Sequence, residues 1–334
     1  MIHHPSRRPS RRSVLALGAA GLATLACPLW AQDFAPGLLY AVGQKFDKSF
    51  NEGAFTGAER FKEATGIAYR DYLPAATAQF EQAVAALLRR GVTDLALIGF
   101  YYAAPLASLA PKHPAVRFTL VDAVVEAPNV QSVTFKEQEG SFLVGMLAAM
   151  ASKTGTIGFI GALDIPLIRK FIAGFQQGAR HARPDIGLLV NFVGTTPAAF
   201  SDPTSGAEVA MSQFQRGADV VFAGAGVSNF GIFAAAKDGG RLAIGVDSNQ
   251  NHLYPGTILT SMLKRVDLAV ELAFGEGRSG VWTPGPRALG LAERGVDYAL
   301  DEHNRALVTP VLRDRLEEAR EAIVQGRIRV LDAL

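Results

Sequence analysis

Cysteine occurs once in this 334-residue sequence, at Cys27. No intrachain disulfide is possible, so a buried core must hold the fold. Histidine is sparse: the six, at positions 3, 4, 113, 181, 252 and 303, are scattered, and no zinc site or other cofactor site is expected. A GxxxxGK[ST] phosphate loop, an HExxH helix and a GxSxG elbow are all missing, as is any clustered DxD pattern. Those absences remove the common marks of nucleotide, metallopeptidase and serine-hydrolase chemistry. Low-complexity tracts and short internal repeats are absent too. The apolar run from Val14 to Ala26 is too short to span about 30 Å of hydrocarbon. What the chain does have is 49% apolar composition, enough for a sizeable core in two lobes.

Residues 1–31 read as an export signal. Arginines precede an apolar stretch, Ala31 stands near a plausible cut, and Arg11-Arg12 followed by Ser13, Val14 and Leu15 is a twin-arginine pattern. "TLAC" at 24–27 weakly resembles a lipobox in which Cys27 would be lipidated, with Thr24 where leucine is usual. A periplasmic location is expected, membrane-anchored if Cys27 carries lipid. The segment holds Arg7, Arg8, Arg11 and Arg12 and no acid, so its removal takes the formal charge from +2 to −2. Nucleic-acid binding then loses its compositional support, because it needs a basic stripe.

Apolar strand-like runs alternate with periodic helical segments. "GLLYAVG" (37–43), "TDLALIGF" (93–100) and "RFTLVD" (117–122) form one series. "GTIGFIG" (155–161), "GLLVNFVG" (187–194), "ADVVFAGAG" (218–226) and "RLAIGVD" (241–247) form a second, with helices expected near 51–65, 77–90, 165–182, 204–216 and 228–238. Near-continuous apolar strands between helices indicate parallel sheet covered on both faces. The expected architecture is α/β: two doubly wound parallel-sheet lobes joined by crossover strands, the bilobed plan of periplasmic binding proteins. The expected division is 33–135 plus 262–285 for lobe 1 and 136–261 plus 286–334 for lobe 2.

Ligands of open parallel sheets bind beyond the carboxyl ends of the strands. Polar and aromatic residues recur there: Asp47, Ser49, Phe50, Asn51 and Phe55; Gly99 to Tyr102; Asp122; Asp164; Phe200 to Asp202; Gly224 to Gly226; Asp247; and Lys264 further on. Taken singly, Asp47, Ser49 or Asp202 reads first as a helix N-cap. The glycines of "GAGVSNFG" (224–231) serve a tight turn or let backbone approach a ligand.

"DKSFNEGAF", "FKEQEGSFLVGMLAAMASKTGTIGFIGALDIPLIRKFIAGFQQGA", "AFSDPTSGAEVA", "IGVDSNQ" and "LTSMLKRVDLAV" resemble, in order and over almost the whole chain after the signal, the basic membrane protein (Bmp, PnrA-like) family. These are the substrate-binding components of ABC importers that include purine nucleoside receptors. The resemblance implies a type I periplasmic-binding-protein fold and a non-catalytic protein with a purine nucleoside or free base in the cleft. It also implies delivery to a permease with separate ATPase subunits, and a monomer is expected.

Under that resemblance Phe55 and Phe200 are expected to sandwich the base, with Phe50, Tyr101 and Tyr102 in reserve. Asp247 and Lys264 match the family's ribose-binding acid and lysine, a pairing suited to vicinal hydroxyls. Asp122 and Asn51 would read the base edge, and Asp47 and Gly226 complete the expected set. Relatives often carry a further acid just before Asp47, where this chain has Phe46. A sugar or other small polar ligand, a ligand-sensing receptor component and a nucleoside hydrolase are the rival readings.

Overall fold

A computed structural model describes residues 34–333; the expected signal and Cys27 lie outside the described residues. The first half runs β1 (Pro36–Leu39), α1 (Phe50–Thr65), β2 (Arg70–Tyr72), α2 (Phe80–Arg89), β3 (Asp94–Ile98), α3 (Ala103–Leu109), β4 (Arg117–Val121) and β5 (Val130–Phe135). Next come α4 (Glu137–Ala151), β6 (Thr156–Gly161), α5 (Pro166–Ala182), β7 (Gly187–Phe192), α6 (Pro203–Gln215), β8 (Val220–Gly224), α7 (Asn229–Asp238) and β9 (Leu242–Asp247). The chain closes with β10 (Ile258–Lys264), α8 (Val266–Ser279), β11 (Gly285–Leu289), β12 (Val296–Tyr298) and α9 (Pro310–Val324).

Two six-stranded sheets result, ordered β11-β5-β4-β3-β1-β2 and β12-β10-β9-β8-β6-β7. Every pairing is parallel except β10 with β12. The orders correspond strand for strand, and in each the direction of winding reverses beside β1 or β6. Such a reversal opens a crevice at the carboxyl edge of the sheet. β2, with the sequence Arg70-Asp71-Tyr72, escaped the sequence reading because an exposed edge strand carries no apolar run.

The chain crosses between the sheets three times: from β5 into α4, from β10 into α8, and from β11 to β12. This corrects the expected division at both ends. Residues 262–264 belong to the second sheet, where Leu263 pairs with Asp247. Residues 286–289 belong to the first, where Leu289 pairs with Phe135. A strand cannot leave its sheet before its hydrogen-bond ladder ends, and a helical period in the sequence does not mark that point.

The central helix α4 is buried at eleven of its fifteen positions, as expected for a helix apolar on all sides. One core runs through it from Leu38 and Phe135 of the first lobe to Phe159 and Phe222 of the second. Its contact with α5 is backbone-close: a Cβ at Gly145 or Gly178 would overlap the carbonyl oxygen of Phe175 or Phe142. Each lobe adds a separate core on its outer face, around Phe118 and around Phe233.

Candidate functional site

The carboxyl ends of both sheets face one cleft. From the first lobe it receives the loop after β1 with Asp47, Phe50 and Asn51, the turn after β3 with Phe100 and Tyr101, and Asp122 after β4. The second lobe contributes Phe171 on α5, Phe200 and Gly226 in turns, and Asp247 and Lys264 at the ends of β9 and β10. About 100 Å³ is open to the centres of water molecules, so the space is narrow.

Its floor is an ion cluster with a symmetric origin. Asp122 and Glu137 follow the neighbouring strands β4 and β5; Asp247 and Lys264 end the corresponding neighbours β9 and β10. The Lys264 Nζ lies 2.7 Å from Asp122 and 3.0 Å from the Glu137 Oε1, and its side chain is only 2% exposed. Rings of Phe50, Phe135 and Phe171 stand 5.2–5.6 Å from the same ammonium, an arrangement that offsets part of its desolvation. Burial by itself would lower the Lys264 pKa, but Asp122, Glu137 and Asp247 together hold it above the ordinary lysine value. Burial pushes Asp122 and Glu137 up, against the pull of Lys264. Asp122 and Asp247 both adopt positive φ, 76° and 65°, a conformation that side chains other than glycine adopt at a cost and that clusters at binding sites.

At the cleft's edge the two lobes are hydrogen-bonded to each other. The Ser49 hydroxyl donates to the Asp247 Oδ2 at 2.5 Å. The Ser248 hydroxyl donates to the Ser49 carbonyl at 2.8 Å, and the Gln250 amide to the Lys48 carbonyl at 3.0 Å.

Residues 37–328 match the family described as Bmp, ABC transporter substrate-binding protein PnrA-like. The chain belongs to this family. An uncharacterized lipoprotein of Pyrococcus horikoshii, PH1714, is 35% identical over 273 residues, covering 78% of this chain and 67% of that protein. Basic membrane protein D of Borreliella burgdorferi is 31% identical over 293 residues, covering 85% and 84%. A solved ABC transporter solute-binding protein of Aeropyrum pernix K1 superposes with a TM-score of 0.77 at 28% identity, covering 89% of this chain and 92% of that one. The architecture is the type I periplasmic-binding-protein fold, and family and fold alike are those of substrate-binding proteins.

In this Bmp-family chain, nine of the ten residues picked from the sequence line the cleft. Phe55 does not. Its ring meets Phe46 edge-on at 5.1 Å and lies under the Lys45 ammonium at 4.7 Å, outside the cleft lining. Phe46, where relatives often carry an acid, is 57% exposed and gives Phe55 a neighbour that an acid would not provide. Tyr102, held in reserve, is a core residue whose hydroxyl donates to the Tyr40 carbonyl at 2.7 Å.

Two further expectations change. Asn51 borders the cleft, but its amide is spent on the loop: it donates to the Ala41 and Gln44 carbonyls and accepts from the Ala41 N–H. Little of it is left to read a base edge. Lys264 pairs directly with Asp122 and Glu137 rather than with Asp247. Asp47 does cap α1, accepting from the N–H groups of Ser49, Asn51 and Glu52 at 2.9–3.1 Å. Asp202 likewise caps α6 by accepting from the Ser205 N–H, and Asp164 pairs with Arg169 away from the cleft. Gly226 has φ 60°, and a Cβ there would crowd the Phe200 carbonyl at 3.0 Å, so this glycine seats Phe200.

Glu137 and Phe171 were not singled out from the sequence, and Phe100 was named among the strand ends but not among the ten expected contacts. Glu137 left a faint signal, an acid two residues beyond an apolar strand in "FKEQEG". Phe171 left none, because it reads as one more apolar position of an amphipathic helix. Tyr101 keeps a hydroxyl without a hydrogen bond among the described residues; burial first, then the charges of Asp122 and Asp47, push it up to about 12. It therefore stays a neutral donor at any working pH. Among the described residues no cluster suited to a metal ion occurs, and no helix is long and apolar enough to cross a membrane.

Proposed function

We propose that this Bmp-family chain is an exported, non-catalytic receptor that captures a purine nucleoside, or the free base, between its lobes. It presents the closed form to a membrane permease served by separate ATPase subunits. The observation that carries this reading is the meeting of aromatic rings from both lobes over a buried carboxylate–ammonium cluster. Phe50, Phe100 and Tyr101 approach from one side, Phe171 and Phe200 from the other. Flat heterocycles stack on such rings, at about 1–3 kcal/mol for each contact. The pentose is assigned to Asp247, whose carboxylate can accept from two vicinal hydroxyls once one oxygen gives up Ser49. Tyr101 supplies a free donor, and Asp122 an acceptor partly occupied by Lys264.

Charge favours a neutral ligand. Asp47, Asp122, Glu137 and Asp247 outnumber the cations Lys264 and Lys170 around the floor, so a phosphorylated nucleotide would meet repulsion. The narrow space and the hydrogen bonds across the cleft imply that ligand enters an open form, and that the three crossing segments act as the hinge. Location outside the cytoplasm agrees with the export pattern and with the lipoprotein names of the Pyrococcus relatives. We take the chain to act as a monomer.

A thermal-shift screen of residues 32–334 with guanosine, adenosine, inosine, the free bases, ribose and hexoses tests the proposal. A ligand that binds only the folded state raises the melting temperature. Stabilisation by a nucleoside supports it; stabilisation by sugars alone refutes the purine assignment.

A further inference from the structure

Glu137 opens α4 two positions after β5, on the first segment that crosses between the lobes, and it is 0% exposed. A carboxylate so placed carries a desolvation cost unless it does electrostatic work. Its two oxygens face different lysines, Lys264 at 3.0 Å and Lys170 at 3.6 Å. The surrounding elements add Asp122 after β4 and Asp247 at the end of β9, while Asp47 before α1 faces Asp247. On its own helix Glu139 is turned away, to Lys136 and the Leu291 N–H. Glu137 thus joins the first crossing segment to the second through Lys264, beneath the residues that border the cleft.

We propose that Glu137 is a positioning residue of this cleft, setting from the crossing segment the charge felt by Lys264 and Asp247 and hence the pH range in which the cleft accepts a riboside. The inference rests on the nucleoside reading above. Four carboxylates, counting Asp47, face two ammonium groups, so acids are in surplus around Asp247. Burial, opposed by Lys264 and the Ser49 hydrogen bond and reinforced by Asp47 and Glu137, pushes the Asp247 carboxyl up to about 6. Vicinal hydroxyls donate to the ionised form, so riboside affinity falls as pH drops through that value. Glu137→Gln removes a negative neighbour and moves the midpoint down. Lys170→Met removes the cation on the far side of Glu137, favours the neutral form of that carboxyl and moves the midpoint the same way.

Guanosine titrations by calorimetry from about pH 4.5 to 8 decide the matter, using wild type, Glu137→Gln, Lys170→Met and Asp247→Asn. The expected shift is downward for both variants, about one pH unit for Glu137→Gln, the effect of one charge several ångströms away at an effective dielectric of about 20. Asp247→Asn should bind weakly with a flat profile. A flat Asp247→Asn profile with both other midpoints unmoved overturns the role of Glu137 and leaves the riboside reading standing. An Asp247→Asn variant that keeps the wild-type profile overturns both. Lys170 is 30% exposed, so its variant keeps the test open if Glu137→Gln fails to fold.

Discussion

Replacing Lys264 by methionine keeps a long unbranched side chain and removes only the charge. The ammonium it deletes lies 2.7 Å from Asp122 and 3.0 Å from Glu137, with all three side chains less than a twentieth exposed. Removing one member of a buried pair costs about 3–5 kcal/mol, chiefly because the other charge is left without compensation. A thioether among Phe50, Phe135 and Phe171 recovers contact of about 0.3–1.5 kcal/mol, so the loss should sit near 3 kcal/mol. At about 2–4 °C per kcal/mol for a chain of this size, the melting temperature falls by about 6–12 °C.

The pH dependence carries the sharper test. Asp122 and Glu137 already titrate above the ordinary carboxylate range, and losing Lys264 raises them further. The folded variant then holds protons that the unfolded chain releases above about pH 4, so its stability declines as pH rises from there to the folded-state values. Urea melts at about pH 5 and 7.5, with wild type alongside, should show the deficit largest at the higher pH. A deficit below about 1 kcal/mol at the higher pH, or one that is the same at both, would refute the assignment of Lys264 as the compensating charge of the cleft floor.

The remaining predictions concern single residues of the cleft and its rim. Phe200→Ala should weaken guanosine binding by about 1–3 kcal/mol in calorimetry, and unchanged affinity would make the ring structural. Phe55→Ala should lower thermal stability yet leave guanosine affinity within about twofold, because its ring packs on Phe46 and Lys45; a tenfold loss would return it to the site. Asp47→Ala should destabilise the protein by about 1–2 kcal/mol through the lost α1 cap, seen in denaturant melts. Ser49→Ala should shift ligand-free protein toward an expanded form in small-angle scattering, since it removes a hydroxyl donor to Asp247; an unchanged radius would deny the cross-cleft bond a part in closure.

Much of the architecture was legible because its cause is local. Strands such as "VVFAG" and "LAIGVD" are buried along nearly their whole length, so apolar content alone announces them. β2 was not legible, being polar and at an edge, and neither was the allegiance of β10 and β11, which ladder registry decides. In the cleft, acids and rings at strand ends could be picked out because parallel sheets gather those ends on one side. Their partners could not: Asn51 turned out to brace its own loop, and Phe55 to lie beneath Phe46.

The sequence by itself determined two parallel-sheet lobes, the strand ends that supply the site, and the chemical types of side chain gathered there. Those follow from periodicity and composition along the chain. Only the tertiary structure decided that Lys264 compensates Asp122 and Glu137, and that Asp247 reaches Ser49 across the cleft. The physical reason is that a buried charge takes its partner from whichever strand end lies within hydrogen-bond reach. That proximity is set by three crossings between two sheets and leaves no trace in the local order of residues.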